Sequence, residues 1–202
     1  MKVIGVYGPV GSGKTTLLKE LKPRIPNSYV IPEYIDALPD AETKLKQYLD
    51  GTLAAFDFQQ YVLDYFEQVA NELKDATYDY VFVERLPVEG IQFFARLDLF
   101  KGRITTDEYY SLMNRARSLT FYPDPSLLLS DDIIPLKTDK GDTPEETAEV
   151  VLTHLRISKN IKLIKMTASF DTIKKRIHER GRECELLYYN DAYIERMIRD
   201  YL

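Results

Sequence analysis

One stretch near the amino terminus restricts the possible folds of this chain more than any other. Residues 8–16 read Gly-Pro-Val-Gly-Ser-Gly-Lys-Thr-Thr and fill every fixed position of the pattern G-x-x-x-x-G-K-[ST]. An apolar run precedes this stretch at residues 3–7, and a helical pattern follows it at residues 17–21. Because a strand, a glycine-rich turn and a helix are the context in which this pattern holds phosphate, the sequence predicts a nucleoside triphosphate site.

The residue types of this loop explain how it would hold phosphate. Glycines let the backbone curl closely and point its N–H groups inward, and the start of the following helix adds partial positive charge. Lys14 is expected to reach the β- and γ-phosphates of ATP, and the Thr15 hydroxyl is expected to ligate Mg²⁺. A glycine turn that merely joins a strand to a helix is the alternative. The predicted nucleotide-binding residues of the loop are Gly8, Gly11, Ser12, Gly13, Lys14, Thr15 and Thr16.

Composition excludes several classes of protein. A length of 202 residues, with 45% apolar and 29% charged residues, is typical of a single globular domain, here residues 1–202. No apolar run approaches the ~20 residues of a membrane span, and the chain begins with a strand instead of a signal peptide. The single cysteine, Cys184, excludes an internal disulfide and indicates a cytoplasmic location. A net charge of −5 disfavours nucleic acid as a partner, so we expect a small-molecule ligand.

Apolar periodicity along the chain predicts alternating strands and helices. The predicted strands cover residues 2–7, 28–31, 80–83 and 161–166. The predicted helices cover residues 14–21, 42–50, 53–73, 90–100, 106–119, 143–155, 170–180 and 192–201. This alternation predicts a three-layer α/β/α fold with a central parallel sheet of about five strands.

Polar residues follow each of the first three predicted strands. The phosphate loop follows the first strand, Glu33 follows the second, and Glu84 and Arg85 follow the third. Ligands of such sheets bind beyond the carboxyl ends of the strands, so we expect these residues to meet in one crevice. An acidic residue at the end of the third strand commonly helps to place Mg²⁺, which assigns Glu84 to the metal site with Thr15. By position alone, Glu33 could equally be a solvated loop residue.

Basic residues on the predicted helix 170–180 indicate a lid. Arg176 and Arg180 lie four residues apart on one helical face, and Gly181 offers a hinge beside them. This arrangement suits a mobile lid, at about residues 176–186, that closes on the triphosphate and supplies guanidinium groups to the transferred phosphoryl group. A solvated basic face is the alternative.

Taken together, these motifs resemble the deoxyribonucleoside kinase family, which includes the deoxycytidine, deoxyguanosine and mitochondrial thymidine kinases. The resemblance covers roughly residues 1–122 and 161–202 and implies a P-loop kinase fold. The family's Glu-Pro-Val, Phe-Gln-x-Tyr, Glu-Arg-Ser and Arg-x-Arg-x-x-Glu motifs are matched by residues 33–35, 58–61, 84–86 and 180–185. Phe94 and Ala95 follow the third motif at the expected distance.

The resemblance implies a role for each matched residue in the transfer of phosphate from ATP to a deoxynucleoside. Glu33 is the general base on the 5′-hydroxyl, and Arg85 steadies both Glu33 and the 5′ oxygen. Gln59 hydrogen-bonds the edge of the base, while Tyr48 and Glu185 bind the sugar 3′-hydroxyl. The remaining implied contacts are Phe58, Phe66 and Phe94 around the substrate and Arg176, Arg180 and Arg182 around the triphosphate. The family also implies a homodimer.

Several departures from the family pattern bear on the preferred base. Leu86 replaces a serine, and Leu38 replaces a tryptophan. In the cytidine and purine enzymes of the family, an Arg–Asp pair narrows the pocket. Phe66 and Gly90 stand at those positions and cannot form the pair. The resulting space suits a 5-methyl group, so we expect thymidine or a broad range of pyrimidine deoxynucleosides as substrates.

The largest departure is an insertion at about residues 123–160. Proline and aspartate are frequent in its first part, and Thr143-Pro-Glu-Glu146 forms a capping box that predicts the start of a helix. The sequence ends at Leu202, the point where relatives usually add a fifth strand. We hypothesise that the apolar run Ser126–Leu129 supplies this missing strand at the edge of the sheet.

Two alternative functions share the phosphate loop. A nucleoside monophosphate kinase, such as thymidylate kinase, typically needs an arginine just before the second-strand glutamate, and Pro32 occupies that place. A nucleotide-dependent switch without small-molecule turnover is the other alternative. The sequence contains no guanine-specifying Asn-Lys-x-Asp motif, which counts against a switch that responds to GTP.

Overall fold

Parallel strands form one sheet in the computed structural model, which describes residues 1–139, 141–158 and 160–201. The strands are β1 Lys2–Tyr7, β2 Ser28–Ile31, β3 Tyr80–Glu84, β4 Ile133–Lys137 and β5 Leu163–Thr167. Their order across the sheet is β2-β3-β1-β5-β4, and each neighbouring pair runs parallel. The predicted parallel sheet of about five strands is therefore confirmed.

Helices connect the strands, most of them close to the predicted boundaries, and the short helices Tyr34–Ala37 and Glu183–Tyr188 were not predicted. The first six are α1 Lys14–Leu21, α2 Tyr34–Ala37, α3 Ala41–Asp50, α4 Ala55–Glu72, α5 Pro87–Gly90 and α6 Arg96–Phe100, with a π-helical turn Ile91–Ala95 joining the last two. The others are α7 Thr106–Ser118, α8 Pro144–Ile157, α9 Phe170–Arg180, α10 Glu183–Tyr188 and α11 Asp191–Tyr201. Thr143 accepts from the Glu146 N–H, so the predicted capping box does begin α8.

Successive side chains of the central strands point to opposite faces of the sheet. The apolar core therefore lies in two layers, one between the sheet and the helices on each face. On β3, Val81 and Val83 belong to the core beneath α3, α4 and α7, whereas Phe82 belongs to the core beneath α1 and α8. Successive side chains of a strand point to opposite faces, so both faces of β3 need cover by helices. A smaller apolar cluster joins α9 and α11 to Val10 in the phosphate loop. The three-layer prediction is confirmed.

The hypothesis that Ser126–Leu129 forms the edge strand is wrong. Pro125–Leu127 is a turn of 3₁₀ helix whose first N–H groups are capped by Asp124, and Leu129 is 74% exposed. An aspartate cap followed by proline favours a helical turn over an extended strand. This apolar run therefore lies outside the sheet.

The edge position exists and is filled by β4, a few residues later in the chain. Ile134 and Leu136 are buried in the core beneath α1 and α8, whereas Pro135 and Lys137 on the opposite face are exposed. Proline is tolerated here because an edge strand has no neighbour on its outer side that needs its N–H. The alternation of residues 133–137 therefore suits a sheet edge better than the longer apolar run before it.

The helices of the described residues are those of a globular core. None of them is both long enough and apolar enough to cross a membrane.

The position of β4 predicts different costs for two substitutions of similar size. We expect Ile134→Ala to lower the free energy of unfolding by about 2–5 kcal/mol, because Ile134 is fully buried. Leu129→Ala is the matched control and should change it by no more than about 0.5 kcal/mol. Urea unfolding followed by circular dichroism measures both. Equal losses would contradict the assignment of the edge strand.

Candidate active site

The phosphate loop joins β1 to α1 with backbone angles that require glycine. The φ angle is 152° at Gly8 and 97° at Gly13, in a region that residues with side chains rarely adopt. A Cβ atom at Gly8 would lie only 2.3 Å from the carbonyl oxygen of Met166 at the end of β5. Gly8 is therefore needed both for its conformation and for the close approach of a neighbouring strand.

Lys14 is buried at the start of α1 and folds back over the loop. Its ammonium group donates to the carbonyl oxygens of Gly8 and Pro9, both at 2.9 Å. Burial, together with the nearby charge of Arg85, lowers the pKa of Lys14 to about 8, and three neighbouring glutamates oppose this shift only in part. The side chain is thus a cation at neutral pH and close to losing its proton in mild alkali.

Thr15 and Glu84 meet beside the loop as a pair of oxygen ligands. The Thr15 hydroxyl donates to Oε1 of Glu84 at 2.5 Å, and Glu84 is buried at the end of β3. Burial and the charge of Glu33 raise the pKa of the Glu84 carboxyl. Among the described residues no three His, Cys, Asp or Glu side chains form a metal cluster. A hydroxyl and one carboxylate fit Mg²⁺, which takes few protein ligands and shares phosphate oxygens and water.

Glu33 and Arg85 form a buried ion pair between the ends of β2 and β3. Nε of Arg85 donates to Oε1 of Glu33 at 2.5 Å. Burial alone would raise the pKa of the Glu33 carboxyl, but the positive charges of Arg85 and Lys14 outweigh it and lower the pKa to about 2. Arg85 also has a φ angle of 63°, which is uncommon for a residue with a side chain and is typical of functional sites.

A second group of residues, which the sequence did not reveal, holds Arg85 from the other side. Glu89 is fully buried and accepts from Leu86 N at 3.0 Å, Gly8 N at 3.3 Å and the Tyr201 hydroxyl at 2.7 Å. Nη1 of Arg85 donates to the same Tyr201 hydroxyl at 2.9 Å. Glu89 thereby links the phosphate loop, Arg85 and the last helix. Its spacing of four residues from Arg85 is the one sequence signal that could have indicated the pair.

With the exception of Phe66, the predicted substrate residues converge on a cavity beside Glu33, which we call the acceptor cavity. The cavity is lined in part by Tyr48, Phe58, Gln59, Arg85, Phe94 and Glu185. Phe66 lies outside this lining, fully buried, with its ring 5.3 Å from those of Tyr65 and Tyr122. Two turns of α4 carry residue 66 about 10 Å beyond Gln59, so it supports the core, and Val62 lines the cavity instead. The role of Phe66 as a substrate contact therefore stays a prediction.

Tyr48 is held in the cavity by two residues that the sequence did not indicate. Its hydroxyl donates to the fully buried carboxylate of Asp98 at 2.9 Å, and Arg103 donates to the same hydroxyl at 2.9 Å. Arg103 also pairs directly with Asp98. The ring of Tyr48 stacks on Phe58 with 4.3 Å between the ring centroids. Both the position of the Tyr48 hydroxyl and the direction of its proton are therefore determined by its neighbours.

The three predicted lid arginines occupy two different surroundings. Arg176 donates to the carbonyl oxygen of Gly11 at 3.2 Å, so it contacts the phosphate loop itself. Arg180 pairs with Glu185, and Arg182 pairs with Asp36 at 2.5 Å. All three arginines line the cleft over the phosphate loop, and Arg182 and Glu185 also line the acceptor cavity. Gly181 ends α9 with a φ of 69°, which separates the two surroundings.

Three buried side-chain atoms have no hydrogen-bond partner among the described residues. They are Oγ of Ser12, Nε2 of Gln59 and Nη2 of Arg85. An unsatisfied buried polar atom costs about 1–3 kcal/mol, and such atoms are rare in folded proteins. All three belong to residues that the sequence assigns to ligand binding, one in the phosphate loop and two in the acceptor cavity. The arrangement leaves hydrogen-bonding capacity free at the places where ligands are expected.

The two ligand spaces are adjacent. The cleft over the phosphate loop and the acceptor cavity share Val10, Glu33 and Arg182 in their linings. A phosphate on the loop and a hydroxyl beside Glu33 would therefore lie on neighbouring sides of the same residues, and phosphoryl transfer requires such proximity.

The lowered pKa of Lys14 predicts how triphosphate binding depends on pH. Below about pH 8 the ammonium is charged and attracts phosphate, and as the pH rises through this value the charge is lost. We expect the Kd for ATP to increase between about pH 7 and about pH 9.5, measured by titration calorimetry. Lys14→Arg keeps its charge throughout this range and should show a flat profile. An equal loss of affinity in this variant would assign the effect to another group.

Comparisons with known proteins agree with this geometry. The sequence model for deoxynucleoside kinases matches residues 4–142, which is more than half of the chain. A comparison with curated proteins finds no match.

Two solved structures of a deoxyadenosine kinase from M. mycoides are similar to this chain, each with a TM-score of 0.60. The one with bound dATP is 17% identical over 100% of this chain and 82% of its own. The one with products dCMP and a flexible dCDP is 20% identical over 100% and 81%. At such identities the likeness shows the fold alone. The family match, which runs from the phosphate loop past Arg85, shows more: this chain belongs to the deoxynucleoside kinase family.

Proposed function

We propose that this deoxynucleoside kinase transfers the γ-phosphoryl group of ATP to the 5′-hydroxyl of thymidine or of a broad range of pyrimidine deoxynucleosides. The observation that carries the proposal is the free Nε2 of Gln59, which is 98% buried in a cavity that ends at the Glu33–Arg85 pair. A carboxamide offers one donor and one acceptor side by side, which matches the donor and acceptor on the edge of a pyrimidine.

The surroundings of Gln59 favour a methylated pyrimidine. The charged side chains in the cavity lining are paired with one another, Glu33 with Arg85 and Arg182 with Glu185. We assign this polar end of the cavity to the sugar and the rest of the cavity to the base. A Cβ atom added at Gly90 would meet no other atom within 4 Å. This open space beside the base supports room for a 5-methyl group.

Glu33 and Arg85 would carry the reaction at the acceptor. The 5′-hydroxyl donates its hydrogen bond to Glu33 and passes its proton to this carboxylate as its oxygen bonds to the γ-phosphorus. The bond between the γ-phosphorus and the β,γ-bridging oxygen breaks at the same time, and ADP leaves. The pKa of Glu33, about 2, keeps it ionised, and the free Nη2 of Arg85 is available to the 5′ oxygen. In phosphoryl transfer most of the rate gain comes from position and charge, so a weak but well-placed base is sufficient.

On the ATP side of the site, several groups would stabilise the negative charge of the phosphates. Lys14 and the loop N–H groups bind the phosphates, and Ser12 has a buried hydroxyl free for an oxygen atom. Bound with ATP beside Thr15 and Glu84, Mg²⁺ neutralises phosphate charge. The lid arginines are close enough to the loop and to the cavity mouth to exclude water when both substrates are bound.

Both alternative functions are less well supported. The chain position just before Glu33, where a monophosphate kinase typically has an arginine for the acceptor phosphate, is occupied by Pro32, whose carbonyl oxygen accepts from the Tyr65 hydroxyl at 2.9 Å. A switch would leave the buried donors of the acceptor cavity without a purpose. The homodimer and the cytoplasmic location stay predictions from the resemblance and the cysteine content.

The proposed role of Glu33 predicts a selective loss of turnover. We expect Glu33→Gln to lower kcat for thymidine by about 100-fold or more, while the Kd for ATP stays within about threefold. Radiolabelled ATP with Mg²⁺ and each of the four deoxynucleosides, or with thymidine monophosphate, measures the transfer. Glu42→Gln makes the same change at an exposed position and should keep wild-type turnover. Transfer to the monophosphate alone would contradict the proposal.

The open space at Gly90 predicts how the preferred base can be changed. Gly90→Ala adds one methyl group where the 5-methyl of thymine is expected, so the ratio of kcat/KM for thymidine over deoxyuridine should fall about 10-fold or more. The two nucleosides differ only in that methyl group, so deoxyuridine is the internal control. Gly90 has helical angles, so alanine should not destabilise the protein. An unchanged ratio would place the base elsewhere.

A further inference from the structure

A charge pair at the end of α6 has no part in the transfer described so far. Gly102 ends this helix with a φ of 68°, and its N–H donates to the carbonyl oxygen of Leu99 at 3.0 Å. The N–H of Arg103 donates to the carbonyl oxygen of Asp98 at 2.9 Å. These two bonds form the Schellman motif, in which side chains at these two positions usually make an apolar contact. Here the contact is an ion pair between Arg103 and the fully buried Asp98.

This ion pair determines what the Tyr48 hydroxyl can offer to a ligand. The hydroxyl donates its one proton to the Asp98 carboxylate, and Arg103, which has only donors, donates to the same oxygen at 2.9 Å. Burial and the charge of Asp98 raise the pKa of Tyr48 well above its usual value, so the oxygen keeps its proton. Tyr48 lines the acceptor cavity, whereas Asp98 and Arg103 lie outside its described lining. The remaining lone pair is therefore what the hydroxyl presents to the cavity.

The second residue assigned above to the sugar 3′-hydroxyl is also an acceptor. Glu185 is 3% exposed, accepts from Arg180 and pairs with Arg182 at 3.5 Å. A carboxylate paired with two guanidinium groups can only accept hydrogen bonds. Tyr48 and Glu185 thus both present acceptors at the sugar end of the cavity. The donor of the hydrogen bond must come from the ligand.

We propose that Asp98 and Arg103 are positioning residues that present Tyr48 as an acceptor, so that the cavity selects nucleosides with a hydrogen-bond donor at the 3′ position. The inference deepens the proposed kinase function and rests on it. A 3′-hydroxyl satisfies an acceptor, whereas a 3′-fluoro substituent cannot donate and directs its lone pairs at that of Tyr48. A 3′-deoxy sugar has neither a donor nor a lone pair there. The expected order of preference is therefore hydroxyl, then deoxy, then fluoro.

Three substrates that differ only at the 3′ position test this order. Transfer from ATP with Mg²⁺ to thymidine, 3′-deoxythymidine and 3′-fluoro-3′-deoxythymidine is measured as kcat/KM, and the ratio of fluoro over deoxy should be below one in the wild type. We expect Asp98→Asn to raise this ratio about 10-fold or more. Arg103 holds the amide oxygen of this variant, so the amide NH₂ donates to Tyr48 and turns the Tyr48 proton into the cavity. Asp57→Asn makes the same change at an exposed position and should keep the wild-type ratio.

A second variant keeps the test decisive if the buried Asp98→Asn substitution prevents folding, which thermal melting reports. Tyr48→Phe keeps the ring that stacks on Phe58 and removes the lone pair, so the ratio should rise about fivefold or more. Donors elsewhere in the lining, such as Arg182, act equally on both analogues in every variant.

Other results separate failure of this inference from failure of the proposed function. A ratio above one in the wild type, or an unchanged ratio in folded Asp98→Asn or in Tyr48→Phe, would overturn the inference. If another deoxynucleoside is phosphorylated faster than thymidine, the same three 3′ substituents are compared on its base. A wild type that transfers phosphate to none of the four deoxynucleosides would instead contradict the proposed kinase function.

Discussion

The buried guanidinium group of Arg85 determines the relative positions of the three segments that supply its partners. A buried cation is stable only when it is paired and hydrogen-bonded, since an uncompensated charge costs several kcal/mol. Arg85 obtains its partners from three parts of the chain: Glu33 after β2, Glu89 in α5 and Tyr201 in the last helix. Glu89 also accepts from the N–H of Gly8. The Glu33 carboxylate, the phosphate loop and the last helix are therefore mutually aligned through a single charge.

The charged groups around Arg85 shift the pKa values of two neighbouring carboxyl groups, those of Glu33 and Glu84, in opposite directions. Arg85 lowers the pKa of Glu33, while burial and the charge of Glu33 itself raise the pKa of Glu84. An ionised Glu33 can accept a hydrogen bond from a hydroxyl group at any physiological pH. Glu84 gains most from an added cation, which suits a ligand of Mg²⁺. The two environments therefore shift the pKa of the same residue type in opposite directions.

Parallel topology explains how an insertion can contribute to a nucleotide site. Every strand of the sheet points its carboxyl end to the same edge, so the segment that follows any added strand arrives beside the phosphate loop. β4 is such a strand, paired in parallel with β5, and Thr138 follows it directly. Adding a strand at the sheet edge therefore brings new side chains to the nucleotide cleft without disturbing the acceptor cavity on the other side.

The sequence by itself determined the phosphate loop, the parallel α/β fold and the family, because these depend on short-range spacing and on residue types with few alternatives. Tertiary structure decided the remainder. Ser126–Leu129 and Ile133–Lys137 are both apolar, and only packing against α1 and α8 selects the second as the edge strand. Phe66 belongs to the core and not to the cavity. Glu89 and Tyr201 lie far apart in the chain, so no local pattern predicts their contact. Such contacts depend on which surfaces the fold brings together, and that is decided by the packing of the whole chain.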